Sequence, residues 1–188
     1  MIKRTMIRVL TIALFAVTGC AGKSPPAAPC DQVCEDGAAL RGLRLAMKSG
    51  FNRTLQGNDA GMQDEMTPCI LGGKARIHGT VDTNPITGTM EVDLTYNLDA
   101  CSYLVPPDAT PARNFNLTFT GTIAEKGTLS SQPNATTSLL FNSPAMSFKG
   151  TVSDPPVNYD QTDCVLEFAQ DGNTVAGTAC GRAAGFTF

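Results

Sequence analysis

The sequence predicts a mainly β, antiparallel domain, a small barrel or curled sandwich of about 7–8 strands, preceded by one N-terminal helix. Three observations point there. Phe115, Leu117, Phe119, Gly121 and Ile123 alternate with Asn and Thr, and Met90, Val92, Leu94, Tyr96 and Leu98 alternate with Glu91, Asp93, Thr95 and Asn97. Period-two alternation means strands with one buried and one wet face, which is antiparallel behaviour. Next, a motif of apolar, any, Gly, Thr, apolar recurs at 77–81, 119–123, 148–152 and 175–179, with a fifth copy at 86–90 in a turn-like context. A glycine on the inward parity of a strand weakens it but lets a sheet bend sharply or another backbone approach, so the repetition implies a curled sheet. Finally, Leu40, Leu43 and Met47 recur at helical spacing upstream, with Asp36 as a suitable N-cap and Gly50 where a C-cap belongs.

The chain opens with Lys3, Arg4 and Arg8, an apolar run from Val9 to Val17, and small residues ending at Cys20. A positive start, a short apolar core and a small-residue exit make a secretory signal. The run is far short of the roughly 20 residues a spanning helix needs. Val17-Thr18-Gly19-Cys20 resembles the lipobox of bacterial lipoproteins, a likeness confined to residues 1–20. That resemblance implies that 1–19 is a cleaved signal peptide and that Cys20 is the lipidation site, acylated on sulfur and on its new amine. Several acyl chains hold far more firmly than one, since each buried CH₂ contributes about 0.8 kcal/mol. Ala21 stands where lipoproteins kept in the inner membrane often carry Asp, so the resemblance implies the outer membrane, with lipid reached through acylated Cys20.

Residues 20–29 are then a lipid-anchored Pro/Ala tether, too poor in apolar side chains to fold. Residues 30–73 form a helix and loop segment, and 74–188 the antiparallel β domain. Arg41, Arg44 and Lys48 make a basic stripe on the helix, read as a solvated face. Residues 54–68, rich in Gly, Asn, Asp and Gln, read as loop. Further strands are expected near 75–82, 136–142, 146–153, 163–170 and 174–181, and a short last one at Phe186 and Phe188. Asn84-Pro85, Pro106-Pro107, Pro133-Asn134, Pro155-Pro156 and Asp171-Gly172 supply turns.

Residues 1–19 hold three of the fourteen Lys and Arg and none of the seventeen Asp and Glu, leaving a mature chain of net charge −6. That balance argues against a nucleic-acid partner. The mature length suits one domain with a real core, built without Trp. Setting Cys20 aside leaves Cys30, Cys34, Cys69, Cys101, Cys164 and Cys180, an even number that implies three disulfides in an exported chain. Zinc is disfavoured, with no CxxC and a single histidine. One bridge follows from register. If 171–173 is a three-residue hairpin loop, 170 pairs with 174 and Cys164 falls opposite Cys180, within disulfide reach. Cys30 and Cys34 would then tie the N-terminal segment to Cys69 and Cys101, in an order left open, pinning the helix onto the sheet.

The sequence shows no catalytic motif: there is no GxSxG, and His78 sits on a polar strand face. Glu91 and Asp93 share a strand face about 7 Å apart, a spacing that some paired carboxylates use, yet nothing marks them as buried. Asp154, Asn158, Asp160 and Asp163 crowd one loop as a weak calcium candidate without EF-hand spacing. Asn52, Asn116 and Asn134 match the glycosylation triplet, which says little for the bacterial lipoprotein that the resemblance implies. The paired terminal phenylalanines resemble the closing strand of outer-membrane barrels, but a spanning barrel needs aromatic girdles that three Tyr and no Trp do not supply. The expectation is therefore a non-enzyme without cofactor: a membrane-anchored module binding an envelope protein or glycan. A carrier holding an apolar ligand against Phe115, Leu117, Phe119 and Phe148 comes second, and an envelope hydrolase last.

Overall fold

The computed structural model describes residues 30–105, 114–130, 136–153 and 155–188. The signal, the tether, Cys20, Asn134, Asp154 and the turns at 106–107 and 133–134 lie outside them. One helix, α1 (Gln32–Thr54), precedes nine strands: β1 (Gly61–Pro68), β2 (Lys74–Asn84), β3 (Thr89–Val105), β4 (Phe115–Ser130), β5 (Ser138–Val152), β6 (Val157–Asn158), β7 (Gln161–Asp171), β8 (Thr174–Ala179) and β9 (Arg182–Thr187). They form one antiparallel sheet in the order β1-β2-β3-β4-β5-β7-β8-β9, with two-residue β6 paired to β5. Sequential neighbours pair because short turns join antiparallel strands most simply. The edge strands β1 and β9 do not pair, so the sheet stays open as a curled sandwich rather than a closed barrel.

The sheet curls around α1. Arg53 Nη1 donates to the Pro68 carbonyl at the end of β1, while Arg182, which opens β9, binds Asp36 near the other end of the helix. Both edges thus meet one helix. Small residues on α1 make the approach close: a Cβ on Gly37 would stand 2.7 Å from the Gly185 carbonyl oxygen, and one on Gly42 3.0 Å from the Phe115 ring. Leu40, Leu43 and Met47 are fully buried with Ile77, Leu94, Leu117, Phe119, Ile123 and Phe148. Each such side chain contributes about 1.5–3 kcal/mol. The inward phenylalanines accordingly pack on the helix, and Phe119 and Phe148 meet edge to face at 5.7 Å. Among the described residues no helix is long and apolar enough to cross a membrane.

The repeated glycines sit where the sheet coils. Gly79, Gly121 and Gly150 take φ of 138°, 138° and 142°, a region closed to other residues. A Cβ on Gly79 would lie 2.1 Å from the Asp93 carbonyl oxygen of the neighbouring strand. The fifth copy, at 86–90, runs through the β2–β3 turn into β3. Two bulges add curvature. Asp99 and Ala100 oppose Thr120 alone, and a second irregularity sets Ser143, Pro144 and Ala145 against Thr122 and Ile123. Proline is tolerated in a strand at such a bulge, so the two strands expected at 136–142 and 146–153 are one, β5.

Several local expectations are corrected. Asp31, not Asp36, caps α1, its Oδ1 accepting from the Cys34 amide at 3.0 Å. Gly50 does not end the helix; it faces Ile77 about one turn before the end, and the cap is Leu55. Within 54–68, read as loop, residues 61–68 form β1, an edge strand that buries Gln63 and Thr67 and exposes Met62 and Met66. Its inverted polarity hid it. The three bridges join Cys30 to Cys34, Cys69 to Cys101 and Cys164 to Cys180. Cys30 and Cys34 therefore close on each other across the first helical turn, and neither reaches Cys69 or Cys101. The third bridge has the expected partners but a different register: Asp171 pairs with Thr174 around a two-residue loop. Cys180 then falls in the next turn, where it and Gly181 both have positive φ, as a type I′ turn requires.

Candidate functional site

Arg44, Lys48 and Asn52 recur every fourth residue and so lie along one side of α1, with Gln56 in the turn just beyond its end. Arg44 turns into the protein and is only 4% exposed, which corrects its assignment to a solvated face. It meets two polar side chains on the inward parity of their strands, Glu125 of β4 and Gln170 of β7. Arg44 Nε donates to Gln170 Oε1 at 2.8 Å, its Nη2 stands 3.7 Å from Glu125 Oε1, and its guanidinium lies 5.1 Å from the centre of the Phe141 ring. Gln170 Nε2 is satisfied by the Gly172 carbonyl. Burial pushes the Glu125 carboxyl above its ordinary range, with Arg44 and Tyr96 only partly offsetting it. The buried Tyr96 hydroxyl lies beside that carboxylate, but it and Glu125 Oε2 make no well-formed hydrogen bond. Burial, then the Glu125 charge, raises Tyr96 well above the usual phenol value.

This buried group forms the floor of a cleft of about 410 Å³, open on one side, at the end of the sheet where β3 begins and β4 ends. Its walls include Lys48, Phe51, Met90, Leu129 and Phe188. The Lys48 ammonium lies 5.8 Å from the centre of the Phe188 ring. The Phe188 amide donates to the Asn173 carbonyl, which brings the chain end to the rim. A cleft with mixed lining and a pKa-perturbed carboxylate beneath it has the features of a small-ligand site.

A second charged group lies toward the N-terminal end of α1. Asp36 is fully buried and accepts from Arg182 Nε at 2.7 Å and Nη2 at 2.8 Å, from Tyr159 Oη at 2.7 Å and from Gln32 Nε2 at 3.1 Å. Burial pushes its carboxyl up, but the bonds from Arg182 and Tyr159 together outweigh that and hold it below the usual carboxylate range. Burial and the Asp36 bond raise Tyr159 beyond the ordinary phenol range, and Asp36 likewise raises Arg182. With the bonds from Arg182 and Tyr159 running between α1, β9 and the segment after β6, its geometry is that of a clamp.

The residues singled out in the sequence are not gathered into one place. His78 Nε2 lies 3.1 Å from Asn97 Nδ2 on the outer sheet face. Glu91 accepts from Thr128 and Asp93 pairs with Lys126 at 2.7 Å, a solvated cross-strand ladder. Of the calcium candidates, Asp160 accepts from the Gly150 amide, Asn158 of β6 pairs with Thr151 of β5, and Asp163 is exposed with φ of 52°. Among the described residues no three His, Cys, Asp or Glu side chains are grouped to hold a metal. Asn52 lines the cleft and Asn116 lies exposed on β4. Glu125 and Gln170 escaped sequence reasoning, although each continues the inward alternation of its strand. No protein-family model matches the chain, and neither a curated protein nor a solved structure is significantly similar to it.

Proposed function

We propose that the chain is a lipid-anchored envelope protein whose folded domain binds a partner molecule rather than transforming one. The anchor half of this reading rests on the signal and on Val17-Thr18-Gly19-Cys20, whose resemblance to a lipobox implies acylated Cys20 and an outer-membrane address. The binding half rests on one observation: α1 fills the interior of the curled sheet, while a partly polar cleft remains at its end. A preformed cleft on a rigid scaffold suits recognition, since little ordering is left to oppose binding. The apolar-carrier reading loses its motive in the sheet interior, because Phe115, Leu117, Phe119 and Phe148 are spent on core packing.

Two measurements test this. Cys20→Ala should move the protein from the membrane pellet to the soluble fraction, and unchanged pelleting would refute the anchor. Native mass spectrometry of protein taken from its own envelope should reveal a non-covalent polar species. A reproducible lipid adduct, beyond the acyl groups at the N-terminus, would overturn the proposal in favour of a carrier.

A further inference from the structure

We propose that β1 is a docking edge for an extended, basic segment of another protein, which joins the sheet as its next strand. β1 and β9 end the strand order. β9 lies against α1, where Arg182 binds Asp36 and Gly185 closes on Gly37. The backbone of β1 is open. In an antiparallel pair, alternate residues point their N–H and C=O away from the neighbour. Arg53 and Gln63 take the carbonyls of Pro68 and Gly61 at the two ends of β1. Between them, among the described residues, only β2 bonds to the backbone of 62–67.

Soluble proteins blunt their sheet edges with bulges, lysines, interior prolines or very short strands. β1 uses none of these. Its eight residues pair with β2 without a register shift, and its interior holds neither lysine nor proline. Met62 and Met66 stand on its outer face, 80% and 64% exposed. An edge left so open is a template for another strand, whose main chain supplies affinity and whose alternate side chains supply specificity. Charge selects that strand. Residues 54–73 hold Asp59, Asp64 and Glu65 and no Lys or Arg. Asp64 is bound by Arg76, but half-buried Glu65 has no cation within 4.0 Å among the described residues. A basic residue opposite Glu65 and apolar residues opposite Met62 and Met66 complete the cross-strand pairs.

Other occupants fit less well. In a second copy paired antiparallel over its whole length, β1 sets Asp64 of each chain opposite Glu65 of the other, and like charges directly opposite are destabilising. A lipid surface would cover the methionines but leave the outward N–H and C=O groups unpaired.

The test titrates the mature protein, purified with its anchor in non-ionic detergent, into the fluorescein-labelled peptide Thr-Val-Lys-Thr-Ser-Val-Thr and reads anisotropy. Set antiparallel, this peptide places its lysine opposite Glu65 and its valines opposite Met66 and Met62. It should bind saturably and about fivefold more tightly than the same peptide with glutamate for lysine. Glu65→Lys, with its fold checked by circular dichroism, should reverse that preference. Methylating one set of alternate peptide amides should abolish binding and methylating the other set should keep it, since only one set faces β1. Equal binding by the two methylated peptides, equal binding of the lysine and glutamate forms, or no binding by any of them would each overturn the assignment. Self-association in sedimentation that Met66→Lys abolishes would instead give the edge to a second copy. Transfer of the Cys20→Ala protein to phosphatidylcholine vesicles that Met62→Ser abolishes would give it to lipid. β1 contributes no residue to the cleft, so failure here leaves the cleft to its own test by native mass spectrometry.

Discussion

Replacing Asp36 by Ala removes the acceptor that joins α1 to β9. The Asp36 carboxylate is fully buried, and the Tyr159 hydroxyl that bonds to it belongs to a residue only 2% exposed. Leaving that hydroxyl unpaired costs about 1–3 kcal/mol. Arg182 is 38% exposed and regains water, so its double bond to Asp36 contributes about 1 kcal/mol after screening. Alanine's better helix propensity returns about 0.5 kcal/mol. The expected loss is about 2–3 kcal/mol, which lowers the urea midpoint by about 1–1.5 M at an m of about 2 kcal/mol/M. Circular dichroism in urea measures it. A loss under about 0.5 kcal/mol would refute the clamp, as would Arg182→Met costing the same in the Asp36→Ala background as in the parent. The pH dependence has a definite sign. Asp36 titrates below its ordinary value when folded, so its stabilisation is complete above about pH 4 and lost as pH falls through the folded value. The gap between parent and Asp36→Ala should therefore narrow in acid.

Glu125→Gln leaves the Arg44 charge buried without its counter-ion and should cost about 3–5 kcal/mol by the same assay, whereas Arg44→Met with Glu125→Leu should be nearly neutral or stabilising. Glu125 titrates above its ordinary value when folded, so its own contribution favours the folded state at lower pH and weakens as pH rises through the folded value. Removing Cys69–Cys101, which closes a loop of sequence separation 32, should cost about 3–4 kcal/mol; removing Cys30–Cys34, with separation 4, should cost about 2 kcal/mol or less. Equal losses would contradict the loop-entropy account. Gly79→Ala should destabilise by at least about 2 kcal/mol, since it combines a φ of 138° with a Cβ directed at a carbonyl oxygen. A neutral result in thermal melts would show that the coil is not built on that glycine.

The architecture was legible where side-chain parity is clean. The alternation in β3 and β4 gave both strands and their inward faces, and the glycine repeat gave the curl. Parity misled only where polarity inverts. Edge strand β1 turns Gln63 inward and Met62 outward, so period two was present but read as loop. Glu125 and Gln170 fall on the inward parity set by Ile123 and Phe168, and following that parity past the last apolar residue would have exposed a buried polar floor. Arg44 was not legible, because the same arginine suits a wet stripe or a buried pair until the opposing carboxylate is placed. The disulfides divide along the same line. Cys164–Cys180 spans only 16 residues, from β7 to the turn after β8, and could be anticipated, whereas Cys69–Cys101 depends on the bulge that sets Ala100 at φ of 47°. Asp36 looked like a cap because Asp suits caps, but its partner Arg182 lies 146 residues away.

That separation bears on how the chain reaches its fold. Among the described elements α1 comes first in the sequence, yet the strand that clamps it, β9, comes last. Until β9 arrives, Leu40, Leu43 and Met47 have no finished wall to lie against, and Asp36 has no counter-ion. Contacts this distant in sequence make for slow acquisition of structure. Closing the wall over the helix thus waits on a strand more than a hundred residues downstream of it.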